Sequence, residues 1–562
     1  MYLVQQLPLN LLGDAMGREW IVRNVASSLF DSLTKGFIRS SREELLLLER
    51  KRLTTLGITS YELDPPSGKI VFPAGGSLYQ CVDSPLRNGT LFPSELRTGT
   101  VGAKLTPEIC PSNPDLVAYV SNCDIWLSHE ASGTSERLTY AHRGTRNLAD
   151  DPLSCGTPSY VIQEEFSRYE GFWWQPESKV RWRQVSSVPL TSGDWPVVDE
   201  GLWVDSLHSL VYFIGLKESP LERHLYVVSL EAPEQVRLLT HTGSSYTVDI
   251  NSECNIAVAT YSSVNSPPAC MVFRISHTDS TVEGVTLTPI GHLVEPQAVL
   301  EQPIGFPEIY SHEISSGDVV YAMVFRPHGA VPSVKYPTVL NVYGGPEVQI
   351  VTNTFKDMRY LRMHLLASQG YCVVSIDSRG SYNRGVQFES HIKHRMGTVE
   401  LDDQIEMLVW LSNEIGLIDM SRVAIFGWSY GGYLSLMGIA QYPDVFKVAV
   451  AGAPVTNWAL YDTGYTERYM DLPNANPQGY KAGSILNYVN QFPNEEGRLL
   501  IVHGLVDDNV HFTHTSSLIT QLVRKGKPYQ LQVYPCERHS LRSLDASKHY
   551  ETTLLNFLAK HL

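Results

Sequence analysis

Ser429 stands in Gly427-Trp428-Ser429-Tyr430-Gly431, a G-x-S-x-G set between the apolar run Ser421 to Phe426 and an apolar stretch that continues from Tyr433 to Ala440. Strand, sharp turn and helix are the setting in which a serine becomes a nucleophile, because the turn holds the hydroxyl at a strand tip near the positive end of a helix dipole. Gly427 and Gly431 are required there: a side chain two positions from the serine would collide with neighbouring backbone. A serine hydroxyl needs a base, and a histidine base needs a carboxylate that fixes its tautomer and stabilises the imidazolium. Candidates follow later strand-like runs in the order serine, acid, histidine. Asp507 and Asp508 come after the run ending at Val502, and His539 after the run ending at Tyr534. Pattern alone does not rank the two adjacent aspartates. A tetrahedral oxyanion also needs donors where its charge develops. The Tyr430 amide is one, and the Tyr343 hydroxyl, in Val342-Tyr343-Gly344-Gly345-Pro346, is the other candidate.

These residues must be carried by a framework. From about residue 300 strand-like and helix-like runs alternate, as an open, mostly parallel sheet with helices on both faces requires. Strands are expected at Thr338 to Tyr343, Tyr371 to Ile376, Lys447 to Ala451, Arg498 to Val502 and Gln530 to Tyr534, with helices from Glu400 to Glu414 and from about Ala546 to Leu562. Before residue 300 the chain turns to short strand-like runs, turn residues and aromatics, an all-β signature. Asp124-Ile125-Trp126-Leu127 with Arg137-Leu138-Thr139 echoes His224-Leu225-Tyr226-Val227 with Arg237-Leu238-Leu239-Thr240. Such repeated strand pairs point to propeller blades, of which this stretch holds about five. Residues 14 to 55 read as a helical packing arm, with Trp20, Ile21, Val25, Leu29 and Leu33 at helical spacing. The expected organisation is an arm over 1–58, a β-propeller over 59–300 and an α/β-hydrolase catalytic domain over 301–562.

Across 562 residues, 44 basic against 59 acidic residues give a formal charge of −15. That balance argues against nucleic acid or an anionic membrane as partner. Met1 to Asn10 offers no basic leader and no run is long enough to span a bilayer, so the expected location is the cytoplasm. The eight cysteines are scattered, and neither a disulfide framework nor a metal site is indicated.

The elbow, the Val342 to Pro346 loop, Asp377-Ser378-Arg379-Gly380, Ala453-Pro454-Val455-Thr456, the stretch Tyr461 to Met470 and His503-Gly504 through Phe512 together resemble the prolyl oligopeptidase clan of serine peptidases. The resemblance is to its dipeptidyl peptidase IV branch, and within that to the cytosolic dipeptidyl peptidase 8 and 9 subgroup. It implies Ser429 as nucleophile, His539 as base and Asp507, rather than Asp508, as the orienting acid. The spacings of 78 and 32 residues along that series fit the branch. It further implies Tyr343 and the Tyr430 amide as oxyanion hole. Val455, Trp458, Tyr461, Tyr465, Tyr430 and Val510 would wall a pocket for a penultimate proline, whose rigid ring loses little entropy on binding. Glu164 and Glu165 match the pair that holds the substrate's α-ammonium, and so measures two residues from the chain end. Asn509 and Lys104 complete the substrate-binding set, with Lys104 where the family has arginine, keeping charge but losing the bidentate fork. The resemblance implies no cofactor, peptide substrates with a free N-terminus and a homodimer. The function so implied is release of N-terminal dipeptides with proline or alanine in second position through an acyl-enzyme. The alternatives are a weak or inactive shortened form acting as a binding or regulatory subunit, and an endopeptidase or acyl esterase of the same fold. A shortened form is raised by the propeller: after Trp173-Trp174-Gln175-Pro176-Glu177-Ser178 the family continues through further blades, whereas Lys179 to Gln184 leads into a segment resembling the last ones.

Overall fold

The computed structural model describes residues 2–3, 23–24, 42–52, 58, 60–83, 91–141, 155–174, 189–296, 305–356 and 360–562. The chain forms two compact units, Met1–Val185 and Ser186–Leu562.

The second unit contains an eight-stranded sheet built from β1 (Glu308–Glu313), β2 (Val319–Phe325), β3 (Tyr336–Val342), β4 (Cys372–Asp377), β5 (Ile418–Trp428), β6 (Phe446–Gly452), β7 (Leu499–Gly504) and β8 (Gln530–Tyr534). Their spatial order is β1-β2-β4-β3-β5-β6-β7-β8. β2 runs antiparallel to both its neighbours, and every pairing from β4 to β8 is parallel. β4 and β7 are buried at every position. That is why they read as near-continuous apolar runs, interrupted only by Ser375, Asp377 and His503: a parallel sheet covered on both faces has no polar side. One apolar layer packs α4 (Val399–Glu414), α5 (Tyr430–Gln441) and α7 (Thr513–Arg524) on one face. The other packs α3 (Leu361–Ser368) and α8 (Leu544–His561) through Met363, Leu366, Leu554 and Phe557. α6 (Thr463–Met470) follows β6 and is started by the Asp462 carboxylate, which accepts from the Tyr465 amide.

Four antiparallel four-stranded meanders precede this sheet. Two lie in the first unit, with strands between Glu62 and Glu95 and between Leu105 and Arg137, and two in the second, between Val197 and Leu238 and between Ser245 and Val294. Four blades are found among the described residues, against the five or so that the length of the stretch predicts; residues 142–154 and 175–188 lie outside the described residues. The echoed motifs occupy equivalent places. Thr139 Oγ1 accepts from the Ile125 amide at 2.9 Å and donates to Asp124. Thr240 Oγ1 accepts from the Leu225 amide at 3.2 Å and meets His224 Nδ1 at 3.0 Å. In both blades the threonine clamps the fourth strand onto the third.

In the arm, expected to be helical over 14 to 55 with a charged helix around Glu43 to Arg52, the charged helix is present and Arg23–Asn24 is extended instead of helical. Tyr2–Leu3 pairs antiparallel with Arg23–Asn24, and the helix observed is α1 (Arg42–Arg50). Trp20, Ile21, Val25, Leu29 and Leu33 lie outside the described residues, as does the junction from Lys179 to Gln184. The end of α1 packs on α2 (Tyr160–Glu165), with Arg50 donating to Gln163 at 2.8 Å and stacking over the Tyr160 ring.

Candidate active site

Ser429 links β5 to α5 with φ 59° and ψ −114°, a left-handed backbone that a non-glycine residue adopts only where its surroundings enforce it. The enforcement is visible. The Ser429 amide donates to Gly452 O at the end of β6, and its carbonyl accepts the first helical bond from Tyr433, both at 2.9 Å. A Cβ on Gly431 would sit 2.1 Å from Val342 O, and one on Gly427 would sit 2.5 Å from the same oxygen. The two glycines therefore let β5 and α5 close against the last residue of β3, which also begins the Tyr343 loop.

Asp507 follows β7 and His539 follows β8. His539 Nδ1 lies 2.8 Å from Asp507 Oδ2, and the carboxylate is completely buried. Burial alone would raise the Asp507 pKa, but the His539 and His503 imidazoles outweigh it and hold the carboxyl far below the ordinary carboxylate range. The Asn509 amide donates to Asp507 Oδ1 at 2.9 Å. Asp508 faces away to Arg538, at 3.5 Å. Three supporting contacts escaped the sequence reading. Buried His503, at the end of β7, donates from Nε2 toward Asp507 Oδ2 (3.1 Å) and Val510 O (2.9 Å), with Nδ1 2.8 Å from Thr515 Oγ1. Trp428 Nε1 donates to His539 O at 2.8 Å, tying the residue before the serine to the histidine loop. His514 Nδ1 accepts from the Thr456 amide at 3.1 Å, and burial pushes its pKa down to about 4. The signal for His503 was its place in His503-Gly504 at a strand end. The other two contacts depend on the folded geometry.

Tyr343 is half-buried directly after β3, its ring 6.2 Å from that of Tyr430. Gly345 is tight here: a Cβ would lie 2.8 Å from the Tyr430 ring. The Tyr430 hydroxyl donates to fully buried Glu400, whose pKa burial raises. As first residue of α5, Tyr430 carries one of the amides that lack an intrahelical acceptor. The loop beyond is shaped by Asp377, which accepts from the Ile350 amide at 3.0 Å and the Val351 amide at 2.7 Å. Burial raises that carboxyl to about 6. Glu347 binds Arg468 at 2.7 Å and the Tyr469 hydroxyl at 2.8 Å, joining the loop to α6.

The expected pocket residues form one aromatic cluster. Trp458 lies 5.5 Å from Tyr430, stacks on Tyr465 at 6.0 Å and meets Tyr461 edge-on at 6.1 Å. Tyr461 donates to Asn509 Oδ1 at 2.8 Å, and Val455 and Val510 are buried in the same core. Ser429, Tyr343, Tyr430, Asp507, His539 and this cluster all belong to the second unit. Glu164, Glu165 and Lys104 belong to the first. There the two glutamates end α2, and Glu164, its side chain 6% exposed, pairs with Arg52, which is 55% exposed. Lys104 is buried, with Nζ donating to Gly102 O at 3.0 Å and Gly76 O at 3.5 Å.

Comparison with known proteins places this arrangement. The Prolyl oligopeptidase family profile matches residues 357–562. The profile of the dipeptidyl peptidase IV N-terminal region matches 90–185 and again 179–268. Dipeptidyl peptidase 8 of Mus musculus is 32% identical over 741 positions that cover 93% of this chain and 83% of that protein. The Homo sapiens dipeptidyl peptidase 8 shows the same identity, with 82% of its length covered. An alignment of 741 positions exceeds the 562 residues here by 179, so at least that many positions face a gap in this chain. The crystal structure of Porphyromonas gingivalis dipeptidyl peptidase 4 shares the fold, with a TM-score of 0.72 over 90% of each chain at 21% identity. No helix among the described residues is long and apolar enough to cross a membrane. With a propeller region followed by an α/β-hydrolase domain, the chain belongs to the prolyl oligopeptidase family of serine peptidases, in its dipeptidyl peptidase branch.

Proposed function

We propose that the chain is a serine exopeptidase that releases N-terminal dipeptides with proline or alanine in the penultimate position. The observation that carries this reading is the buried Asp507–His539 pair on the loops after β7 and β8, in the same sheet that holds the Ser429 elbow. His539 takes the Ser429 proton as the hydroxyl attacks the peptide carbonyl. The carbonyl becomes an oxyanion bonded to the Tyr343 hydroxyl and the Tyr430 amide. His539 then gives the proton to the leaving amine, and water hydrolyses the acyl-enzyme by the reverse sequence. Asp507 orients the imidazole and remains a carboxylate throughout. The Trp458, Tyr461 and Tyr465 cluster, with Val455 and Val510, takes the penultimate ring. Lys104 binds substrate backbone, Asn509 completes the substrate-binding set, and Glu164 and Glu165 take the α-ammonium. In this reading the enzyme works in the cytoplasm as a homodimer on peptides with a free N-terminus.

A second reading, a weak or inactive form that binds partners, is favoured by the ion pair Glu164 already makes with Arg52 and by the positions missing from the alignment. One assay separates them. A Gly-Pro chromogenic amide should be cleaved and its N-blocked counterpart should not; cleavage of both, or of a simple acyl ester alone, assigns an endopeptidase or esterase, and cleavage of none assigns the binding form.

A further inference from the structure

A second convergence of side chains lies in the propeller part of the second unit. Asp205 ends the strand Val197–Asp205, His208 lies in the hairpin turn that follows, and the strand Ser266–His277 of the next blade ends at His277. Asp205 is buried, and its Oδ1 accepts from the Leu207 amide at 3.0 Å and the His208 amide at 3.1 Å. That fixes Oδ2 facing two imidazoles, 2.7 Å from His208 Nδ1 and 3.3 Å from His277 Nε2. The three ligand atoms all lie within 4.8 Å of one another. The rings stack at 3.9 Å with planes 12° apart, and the Tyr212 hydroxyl reaches His277 Nε2 at 2.7 Å.

We propose that Asp205, His208 and His277 bind one divalent ion of the zinc class, as a site separate from the peptidase residues. Two imidazoles and one carboxylate are the donor set of borderline first-row ions, whereas calcium and magnesium prefer oxygen throughout. Ligand atoms about 2.0–2.2 Å from a tetrahedral ion stand roughly 3.3 Å apart. The Asp205–His277 separation already has that value, and the Asp205–His208 contact opens by about 0.6 Å as the ion takes Nδ1 of a neutral His208, whose ring proton moves to Nε2, while His277 Nε2 exchanges its hydrogen bond with Tyr212 for the ion. An ion must lie in both ring planes, so the stack fans apart at its nitrogen edge. His208, 27% exposed against 7% for His277, is the ring that turns and the side from which the ion enters. The Asp205 backbone contacts do for this carboxylate what outer partners do for ligands generally, setting its direction in advance. Bound there, the ion staples the turn of one blade to a strand end of the next. Sequence spacing offers no hint of it, because the third ligand comes from a different blade.

The test uses the full chain after chelation, titrated with Co²⁺ and then with Zn²⁺. The parent should take up one Co²⁺ with the visible bands of a low-coordinate site. Zn²⁺ should displace it and raise the Tm. His208→Ala, at the more exposed position, and His277→Gln should each weaken binding by roughly tenfold or more and abolish the Tm increase, while Ser429 still reacts with a fluorophosphonate. If His277→Gln does not fold, His208→Ala decides alone. Uptake by His208→Ala equal to the parent's, or no uptake by the parent, overturns the proposal.

Discussion

At Asp507 and Asp508 two neighbours of one type have opposite surroundings. Asp507 meets His539 and His503 in a buried site, and Asp508 meets Arg538 near the surface. Asp507→Asn should therefore lower kcat by about 10³–10⁴-fold by offering His539 the wrong tautomer, while Asp508→Asn stays close to the parent. Equal losses would remove Asp507 from its proposed role, and fluorophosphonate labelling that persists in Ser429→Ala would place the nucleophile elsewhere. Glu164 presents a different problem, since Arg52 already offers it a cation. If the glutamates hold the substrate's α-ammonium, Glu164→Ala and Glu165→Ala abolish Gly-Pro amide cleavage and leave labelling of Ser429 intact, because the probe carries no ammonium. Arg52→Ala should then lower KM several-fold with kcat little changed. Labelling lost together with cleavage would make the pair structural. The places of Ser429, at the turn from β5 into α5, and of His539, after β8, were legible because each follows an apolar run. The Arg52–Glu164 pair was not, because its partners are 112 residues apart and neither has a distinctive neighbourhood.

Among elements, β3, β4, β6, β7 and β8 were legible to within a few residues because each is an apolar run whose ends polarity marks, whereas β1 and β2, the antiparallel strands at one edge of the sheet, were not expected from the sequence. β5 was legible in part, extending from Ile418 to Trp428 where the apolar run covers only Ser421 to Phe426. Its added length comes from pairing with β3 and β6, which no local pattern reports. The same closeness makes Gly431 a test of the elbow. Gly431→Ala drives a methyl into Val342 O, an overpacking that costs about 1–3 kcal/mol or more. It should lower the Tm and abolish labelling of Ser429, whereas Gly291→Ala, with open space around it, should do neither. A Gly431→Ala protein that labels normally would show that β3 and α5 need not approach so closely. His514 joins the loop after β6 to α7 and supplies a pH dependence. Its folded pKa of about 4 lies below the ordinary imidazole value of 6.5, so the unfolded chain takes up a proton first as pH falls. The contribution is complete above 6.5 and lost as pH drops toward 4. The urea midpoint should fall between pH 7.5 and 5, and less steeply in His514→Gln. Parallel pH slopes for the two proteins would remove His514 as the source.

For the whole molecule, fold physics and family membership pull in different directions. The hydrolase part carries each expected element, whereas the propeller part has four described blades and an alignment in which at least 179 positions face a gap. The two matches to the N-terminal region meet at residues 179–185, beside the junction expected from the sequence. That junction was legible only against the family, because Lys179 to Gln184 is unremarkable as local sequence. Propellers protect their strand edges by radial repetition, so missing blades leave edges exposed or change the circle the remaining blades form. Glu164 and Glu165 lie fewer than twenty residues before the junction. A catalytic or binding group misplaced by about 1 Å can cost roughly a hundredfold in rate. The 562-residue chain should therefore label at Ser429 as readily as a version with the missing blades restored from a relative, yet cleave Gly-Pro amide with a kcat/KM at least about tenfold lower and aggregate more readily. Labelling isolates the hydrolase part and cleavage adds the propeller's contribution, so their ratio locates the defect. Equal kcat/KM and equal solubility in the two proteins would make the short propeller a working architecture, with the dipeptide ruler intact despite the junction.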